Sequence, residues 1–591
     1  MLLSRIARGK QPNAIDRLAD SAGWKKVLLP QRRLRRLYDA SQRLRGTNIF
    51  AALLQALDVS YSVGQKRMQS IPREGAAIVV ANHPFGMLDG LLVGALLLRV
   101  RSDLKIVANR LLASIPDIAP HCIYVDNMGA DDRLSVNTRG LRQAVRHLRN
   151  GGLVVLFPAG EVAHWSVRTL SISDPQWSDS AARLAEMTGA PVIPISIQGA
   201  NSLGFQLSGL IHPRLRTLQL PHELLKKRGQ HVEIIVSPPV PPEKLKAAGD
   251  SQAATSMLQW STQMLSLAPA RPRWHLRLPS SAKPIISETY AGLVEQELLA
   301  LPAAARLYQQ GEFDVFGFSS GQAPSAVREI GRLREITFRQ IGEGTGAACD
   351  LDRFDRDYTH LALWHRERRQ IAGSYRLANV AQAVENSGPR GLYTSTLFRY
   401  QPSFFDSIDG ALELGRSFVR PEYQKHYLPL LLLWKGIGAY LVRYPSTPIL
   451  FGAVSVSNGY SPASRQLIAA FLRARMAPAG LVAKVESRNP FRHIRRCAGI
   501  REQGFTRVFT LADVSERVAS WEPDGKDLPI LVKHYLKLGG KTLAFAVDPK
   551  FSDSLDALIM VDLRASDPAV LSRYMGAAGA HSFLHAVPAA S

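Results

Sequence analysis

The histidine and aspartate of residues 81–90 (Ala-Asn-His-Pro-Phe-Gly-Met-Leu-Asp-Gly) could act together as a base and its orienting group. A carboxylate beside an imidazole fixes the tautomer of the ring and stabilises the imidazolium that forms when the ring takes a proton. Residues 61–267 contain no serine or cysteine in a G-x-S-x-G nucleophile-elbow pattern, so His83 would activate a hydroxyl of the substrate itself. Taken alone, the pair could also be a turn-capping His83 and an unrelated Asp89 on the next helix.

A second strand-like run ends in a similar way. Residues 153–157 (Leu-Val-Val-Leu-Phe) lead into Pro-Ala-Gly-Glu at 158–161, and a third apolar run follows at 191–195 (Pro-Val-Ile-Pro-Ile). The carboxyl ends of parallel strands meet at one edge of a sheet, which is where α/β domains place their chemistry. Two strand-like runs thus each end in a turn that carries Pro, Gly and a carboxylate. This similarity favours a catalytic role for His83 and Asp89 over a purely structural one.

The elements that would position these residues alternate in type. Short β-branched runs are separated by helix-like stretches, a pattern typical of an α/β domain with a largely parallel sheet. The runs are 77–81, 104–108, 153–157, 192–197 and 232–237. This domain is expected to cover residues 61–267, after a basic amphipathic segment at 1–60 and before a Pro- and Arg-rich linker and helix at 268–312.

In order and context, the blocks Asn-His-Pro…Asp (82–89), Phe-Pro-Ala-Gly-Glu (157–161) and Pro-Val-Ile-Pro (191–194) resemble those of the glycerolipid acyltransferases that acylate lysophosphatidic acid. The resemblance implies that His83 deprotonates an acceptor hydroxyl, which attacks an acyl thioester, and that Asp89 orients the histidine. It also implies that Gly160 and Glu161 lie by the acceptor. Asp126, in Val-Asp-Asn at 125–127, is a weak match to the preceding acceptor block.

Two departures from that family's pattern indicate a divergent branch. Five residues separate His83 from Asp89, where the family usually has four. Glu161 follows the glycine instead of preceding it, and no Thr-Arg-Ser comes next. The spacing is similar to that of the hemolysin-like branch, and the acceptor need not carry a phosphate.

The second half of the chain carries charged groups beside strand-like runs. Glu413 and Arg416 lie at a strand-to-helix transition, where helix amides can receive an anion or a carbonyl oxygen, and Arg376 lies in the run 371–377. Spacing alone favours a structural role for these charges.

Five blocks in order resemble the ornithine N-acyltransferases of bacterial aminolipid synthesis, relatives of the homoserine-lactone autoinducer synthases on a GNAT-type fold. The blocks are 333–339, 354–361, 371–377, 413–419 and 431–438. The resemblance implies a mixed α/β domain over 313–575. In it Glu413, or a water it holds, would take the amine proton, and Arg376 and Arg416 would anchor a carboxylate or position the donor. Residues 423–427 lack the Gly-rich turn with which acetyl-CoA-dependent relatives bind pyrophosphate, so acyl carrier protein is the expected donor.

Composition limits the possible partners. The 591 residues contain 73 Lys and Arg against 49 Asp and Glu, a net charge of +24 that suits acidic carrier protein and an anionic membrane surface. No apolar run is long enough to cross a bilayer, and the chain contains no H-E-x-x-H motif and no closely spaced pair of cysteines. We expect a cytoplasmic protein, peripheral on the inner face of the cell membrane, with no cofactor besides an acyl-ACP or acyl-CoA co-substrate. Residues 576–591 are expected to form a frayed tail.

Together the two resemblances predict an acyltransferase with an N-terminal glycerolipid-acyltransferase-like α/β domain and a C-terminal GNAT-like mixed α/β domain. This arrangement is similar to the fused bifunctional ornithine lipid synthases. The C-terminal domain would acylate the ornithine amine with a 3-hydroxyacyl group, and the N-terminal domain would then acylate the new hydroxyl.

Two alternatives remain open at this point. One is a lysophospholipid or lysophosphatidic acid acyltransferase whose C-terminal domain is inactive or only binds carrier protein. The other is a basic membrane or nucleic-acid binder without enzymatic activity. The basic clusters are not interleaved with aromatic residues in the pattern of a nucleic-acid-binding module, so no nucleic-acid partner is expected.

Overall fold

The structure is a computed structural model, and it describes residues 30–44, 48–64, 68–109, 116–125, 133–166, 171–211, 213–265, 282–491 and 509–586. The chain divides into two compact units. Unit 1 comprises Met1–Ala270 and His493–Trp521, and unit 2 comprises Arg271–Arg492 and Glu522–Ser591.

Helices and strands alternate through most of both units. The strands are β1 Ser60–Val63, β2 Ala77–Ala81, β3 Leu104–Asn109, β4 Cys122–Val125, β5 Leu153–Leu156, β6 His164–Ser166, β7 Ser171–Ser173, β8 Val192–Ile197, β9 His231–Val236, β10 Arg306–Gln310, β11 Phe313–Phe318, β12 Thr359–His365, β13 Gln370–Asn379, β14 Phe398–Tyr400, β15 Ala411–Val419, β16 Ile449–Val456, β17 Val485–Ser487, β18 Lys541–Asp548 and β19 Ser554–Asp562. The helices are α1 Gln31–Gln42, α2 Ile49–Ala56, α3 Met87–Leu97, α4 Arg133–Arg149, α5 Ser180–Thr188, α6 Leu203–Ile211, α7 Pro213–Lys226, α8 Pro242–Ala247, α9 Ser251–Leu265, α10 Ala291–Ala300, α11 Pro324–Gln340, α12 Val380–Ser387, α13 Pro402–Ser407, α14 Leu428–Arg443, α15 Pro462–Arg473, α16 Ala479–Val482, α17 Leu511–Trp521, α18 Ile530–Lys537, α19 Pro568–Met575 and α20 Ala577–Ala586.

Unit 1 is built on a seven-stranded sheet with the order β1-β9-β8-β2-β5-β3-β4. Every neighbouring pair is parallel except β8 and β9, which confirms the predicted α/β domain. The central strands β8, β2 and β5 are buried along their whole length and apolar except for Ser196, as expected for parallel strands covered on both faces. Their adjacency brings the turns that follow β2 and β5 to the same edge of the sheet.

Unit 2 is built on an eight-stranded sheet with the order β10-β11-β12-β13-β15-β16-β19-β18. All neighbouring pairs are antiparallel except β15 and β16. These two strands pair only over Ala411–Glu413 and Ile449–Phe451, after which β15 continues along β13 and β16 along β19. The sheet therefore opens between β15 and β16 directly beyond Glu413.

Three segments differ from the sequence predictions. The stretch expected to be helical before the GNAT-like domain contains α10 but ends in β10, which pairs with β11. Part of the expected tail forms α20, because Phe583 is buried. Helix α17, expected within the C-terminal domain, groups with unit 1, where Asp513 forms an ion pair with Lys244 and the Arg517 guanidinium donates to the Ser237 hydroxyl.

No helix of the described part of the chain is both long enough and apolar enough to cross a membrane.

Candidate active sites

The turn between β2 and α3 positions the histidine of unit 1. Asp89 lies in the first turn of α3, and its Oδ2 accepts the backbone N–H groups of Phe85 and Gly86 at 2.9 and 2.8 Å. Gly86 has a φ of 86°, and a Cβ there would lie 2.8 Å from the Leu220 side chain, so the turn requires glycine. The same carboxylate oxygen lies 2.9 Å from the Nδ1 of His83.

The environment of this pair suits proton transfer. Asp89 is fully buried, and burial raises the pKa of its carboxyl, while the contact with His83 and the two backbone amides oppose that rise. The His83 side chain is 19% exposed and packs against the Phe157 ring, with 4.7 Å between ring centroids. Because Asp89 engages Nδ1, the Nε2 of His83 is the nitrogen left for a substrate hydroxyl.

Two further residues hold the histidine turn, and sequence reasoning assigned a role to neither. Asp174 accepts the backbone N–H of His83 at 3.1 Å and the indole N–H of Trp177 at 2.9 Å. Burial raises the pKa of Asp174 to about 6. The Asn82 amide exchanges two hydrogen bonds with the backbone of Ile197, the last residue of β8. Asn82 stood in a recognised block, whereas Asp174 lies 91 residues from His83 and carried no signal.

The predicted acceptor residues have different outcomes. Gly160 lies in the turn after β5 with a φ of 66°, and Glu161 is exposed and forms a 3.3 Å ion pair with Arg216. This segment lies beside the histidine turn, because the backbone N–H of Ala163 donates to the carbonyl of His83 at 2.8 Å. Asp126 lies outside the described residues. The contact of Gly160 and Glu161 with an acceptor stays a prediction.

In unit 2, Glu413 lies at the point where β15 and β16 cease to pair, and its side chain is buried. Its carboxylate accepts the Tyr358 hydroxyl and the backbone N–H groups of Thr394 and Tyr393, the latter two at 2.8 and 3.2 Å. Burial raises the pKa of Glu413, and the Tyr358 hydroxyl opposes that rise. The group therefore favours holding a proton more than an ordinary glutamate does.

Arg376 and Arg416 are held by carboxylates of this chain. The Arg376 guanidinium is buried and lies 2.6 Å from Asp352 and 3.2 Å from Asp355. Arg416, at a β-bulge with a φ of 50°, lies 3.4 Å from both Asp350 and Asp352. A substrate carboxylate would have to compete with Asp352 for both arginines, so the geometry favours a positioning role over a carboxylate anchor.

The same network extends to Arg334, which sequence reasoning did not select. Its guanidinium is buried and lies 2.8 Å from Asp355. Asp352 and Asp355 belong to the charged run before β12, which was visible in the sequence. Arg334 lies on α11 among residues with an ordinary amphipathic pattern, and only the fold brings it to Asp355.

Three more carboxylates lie near Arg416. Glu343 follows α11, Asp548 ends β18, and Asp556 lies in β19; all three are buried. Burial, followed by the neighbouring carboxylates, raises the pKa of Glu343 to about 7 and that of Asp556 well above its ordinary value. Arg416 opposes the rise. We refer to Glu343, Asp548 and Asp556 as the acidic group. Within the described ranges, no set of His, Cys, Asp and Glu side chains is arranged to hold a metal ion.

Two family models match the chain. Residues 63–198 match the acyltransferase family, and residues 333–434 match the acetyltransferase (GNAT) domain. These matches cover the histidine turn of unit 1 and the Glu413 region of unit 2, and they confirm the predicted fold class.

Relatives of each half carry the names of acyltransferases. The chain is 35% identical over 28% of its length to the glycine N(alpha)-acyltransferase of Bacteroides thetaiotaomicron, of which it covers 53%. It is 24% identical over 33% of its length to the lyso-glycine lipid O-acyltransferase of Phocaeicola vulgatus, covering 70% of that protein. It is 26% identical over 40% of its length to the L-ornithine N(alpha)-acyltransferase of Rhodobacter capsulatus, covering 86%. The chain thus spans about half the length of the glycine N-acyltransferases that it matches.

Proposed function

We propose that this chain, which joins an acyltransferase domain to a GNAT domain, makes an ornithine-type aminolipid by two successive acylations. The observation that carries the proposal is that one chain contains two halves similar to proteins named for N-acylation of an amino acid and O-acylation of a lyso-lipid. Unit 2 would transfer a 3-hydroxyacyl group to the amine, and unit 1 would acylate the 3-hydroxyl of the product.

In the O-acylation, Nε2 of His83 takes the proton of the acceptor hydroxyl while its oxygen attacks the carbonyl carbon of an acyl thioester. The C–S bond then breaks, and the imidazolium returns the proton to the departing thiolate. Asp89 stabilises the imidazolium through Nδ1, from which it lies 2.9 Å. Gly160 and Glu161, in the segment beside the histidine turn, would contact the acceptor.

In the N-acylation, an uncharged α-amine attacks the thioester carbonyl carbon, and the amide forms as the C–S bond breaks. The amine nitrogen loses a proton to a base, which returns it to the departing thiolate. Glu413, or a water it holds, receives that proton; burial raises its pKa, which suits a group that must take up a proton. Arg376 and Arg416 position the donor end of the site through their aspartate partners.

The acidic group favours a diamino acid over glycine as the acceptor. Burial and mutual repulsion raise the pKa of Glu343 and Asp556 although Arg416 and Arg465 lie near them, so a further cation such as the side-chain ammonium of ornithine would favour their ionised form. Glycine, the amino acid in the names of other relatives, is the second candidate because those relatives are the more similar in sequence.

The donor is proposed to be acyl carrier protein. Residues 423–427, between the short turn Pro421–Tyr423 and α14, contain no glycine with which backbone amides could wrap a CoA pyrophosphate. The net charge of +24 suits both an acidic carrier protein and the anionic inner face of the cell membrane, where the lipid substrates lie.

Lipid analysis of a host that lacks aminolipids tests the proposal. We expect wild type to produce a ninhydrin-positive, phosphorus-free lipid, His83→Ala to accumulate its lyso form, and Glu413→Ala to produce neither. A change in phospholipid acyl composition without any aminolipid would instead identify a lysophospholipid acyltransferase.

The choice of amino acid is tested with purified protein and 3-hydroxyacyl carrier protein. Asp556→Asn should lower the rate with ornithine relative to glycine by about tenfold, since an amide cannot ionise to pair with the bound ammonium. The exposed Asp406→Asn is the matched control and should leave the ratio unchanged. Equal ratios in wild type and Asp556→Asn would contradict the assignment of the acidic group.

A further inference from the structure

Helix α6 and strand β6 of unit 1 leave three large apolar side chains in solvent. Leu203 and Leu207, one helical turn apart on α6, are 79% and 62% exposed, and Trp165 of β6 is 40% exposed. The backbone N–H of Trp165 donates to the side chain of Gln206 at 2.9 Å, so the strand lies against the helix. We call Trp165, Leu203 and Leu207 the apolar patch.

The apolar patch borders the histidine turn. Ala163, two residues before Trp165, donates its backbone N–H to the carbonyl of His83. Helix α7, which packs beside α6, contributes the Leu220 side chain that a Cβ at Gly86 would meet. A molecule bound to the patch would therefore lie on segments that also contact the histidine turn, where O-acylation is proposed.

The helical hairpin that carries Leu203 and Leu207 has an excess of basic residues. Residues 199–230 contain five Lys and Arg but one acidic residue, Glu223. Lys227 is buried and Arg216 is paired with Glu161, whereas Lys226 and Arg228 are exposed. The Glu223 carboxylate is buried and already bound, by the backbone and hydroxyl of Ser202 and by Lys226. Positive charge beside exposed Leu and Trp is the pattern by which a protein lies on an anionic bilayer, the apolar side chains entering below the headgroups.

We propose that the apolar patch is the face by which unit 1 lies on an anionic lipid bilayer, admitting lyso-lipid to His83 from the membrane. Residues 1–50 of the same chain are disfavoured as the group that covers the patch, because their net charge of +9 would be repelled by the basic hairpin. The proposal rests on lipid O-acylation by unit 1, since that reaction takes its acceptor from a membrane.

Vesicle co-sedimentation of the full chain tests the proposal without turnover. We compare vesicles of phosphatidylcholine alone with vesicles that also contain phosphatidylglycerol. The double variant Leu203→Asp, Leu207→Asp should lower the partition coefficient on the anionic vesicles by at least about tenfold. Met187→Asp is the matched control, because Met187 of α5 is 50% exposed in the same unit and lies outside the patch.

Quenching by brominated lipid gives an independent readout of depth. Tryptophan fluorescence of wild type should be quenched by bromines near the headgroup, and Trp165→Phe should remove a measurable part of that quenching while leaving the folded fraction unchanged. Unchanged quenching in Trp165→Phe, or unchanged sedimentation in the double variant, would overturn the proposal.

Two more outcomes distinguish membrane binding by the patch from binding of a protein partner and from the proposed O-acylation. If the double variant keeps vesicle binding but loses binding to acyl carrier protein, the patch serves a protein partner and the proposal is overturned. If the variants lose vesicle binding as expected but wild type acylates no lyso-lipid, the docking face stands and the proposed O-acylation fails.

Discussion

Replacing Asp89 by asparagine removes the negative charge beside His83 while conserving the shape of the side chain. The amide oxygen of asparagine can still accept the N–H groups of Phe85 and Gly86, so the turn before α3 should persist. The other carboxylate oxygen, Oδ1, is buried without a hydrogen-bond partner among the described residues. An amide placed there would cost about 1–3 kcal/mol of stability.

The expected effect on catalysis follows from the 2.9 Å separation of Nδ1 and Oδ2. Opposite unit charges about 4 Å apart attract by about 4 kcal/mol at an effective dielectric constant of 20. The attraction exists only once His83 has taken the proton, so its loss raises the barrier and not the energy of the resting state. At about 1.4 kcal/mol per factor of ten, the rate of O-acylation should fall by about 100- to 1000-fold, the lower figure allowing for partial solvent screening.

The assay measures O-acylation of an added N-(3-hydroxyacyl) amino acid by purified protein, with thermal unfolding to check the folded fraction. Asp174→Asn is the matched control, because the half-buried Asp174 carboxylate also lies at this turn but bonds the backbone of His83 and not its ring. It should slow the reaction by less than about tenfold.

The reasoning would be refuted if Asp89→Asn kept a rate within about fivefold of wild type while folded. It would also be refuted if Asp174→Asn and Asp89→Asn were equally slow. The first result would mean that no imidazolium forms in the rate-limiting step, and the second that the turn geometry matters more than the charge.

Three further predictions concern unit 2. In Glu413→Gln the side chain can still accept the Thr394 N–H but cannot carry a negative charge. N-acylation should therefore fall by at least about 100-fold, while O-acylation of added lyso-lipid stays within about twofold. Equal losses of both activities would contradict this prediction. Burial raises the pKa of Glu343 to about 7, which disfavours the ionised form in the folded state. That destabilisation grows as pH rises from about 4.5 to about 7, so the advantage of Glu343→Gln in urea unfolding should increase by about 2 kcal/mol between about pH 5.5 and about pH 8, and a constant advantage would exclude the mechanism. Gly452→Ala would place a Cβ 2.3 Å from the Leu414 carbonyl oxygen and should cost about 1–3 kcal/mol, measured by the same unfolding; an unchanged midpoint would contradict so close an approach.

The parts of unit 1 that could be predicted are those whose signal is local. The runs that became β2, β5 and β8 are continuous and apolar because both faces of a central parallel strand are buried. His83 and Asp89 lie in one turn, so six positions of sequence were enough to bring them together. Asp174 reaches the same turn from another loop, and a single aspartate in a loop gives no pattern from which its partner could be inferred.

In unit 2 the strand-like run 371–377 could be recognised because it is mostly apolar, and it lies within β13. The acidic group could not be predicted. Its three members come from the end of α11, from β18 and from β19, and their proximity depends on the order of strands in the sheet. The ion pairs of Arg376 and Arg416 with Asp352 were equally invisible, although all three residues lie in recognised or charged segments.

The place of α17 in unit 1 bears on how the protein is made. Arg517 and Trp521 of this helix are buried, yet they follow most of unit 2 in the chain. After Ala270 has been added to the growing chain, the ribosome must synthesise roughly 250 more residues before α17 is complete. At about 5–20 residues per second this takes about 10–50 s. During that interval the nascent unit 1 would expose the surface that α17 later covers. A gene fragment that ends after Ala270 would encode unit 1 without α17 and would leave that surface exposed. To obtain an active unit 1, the chain should therefore be expressed as one polypeptide that includes α17.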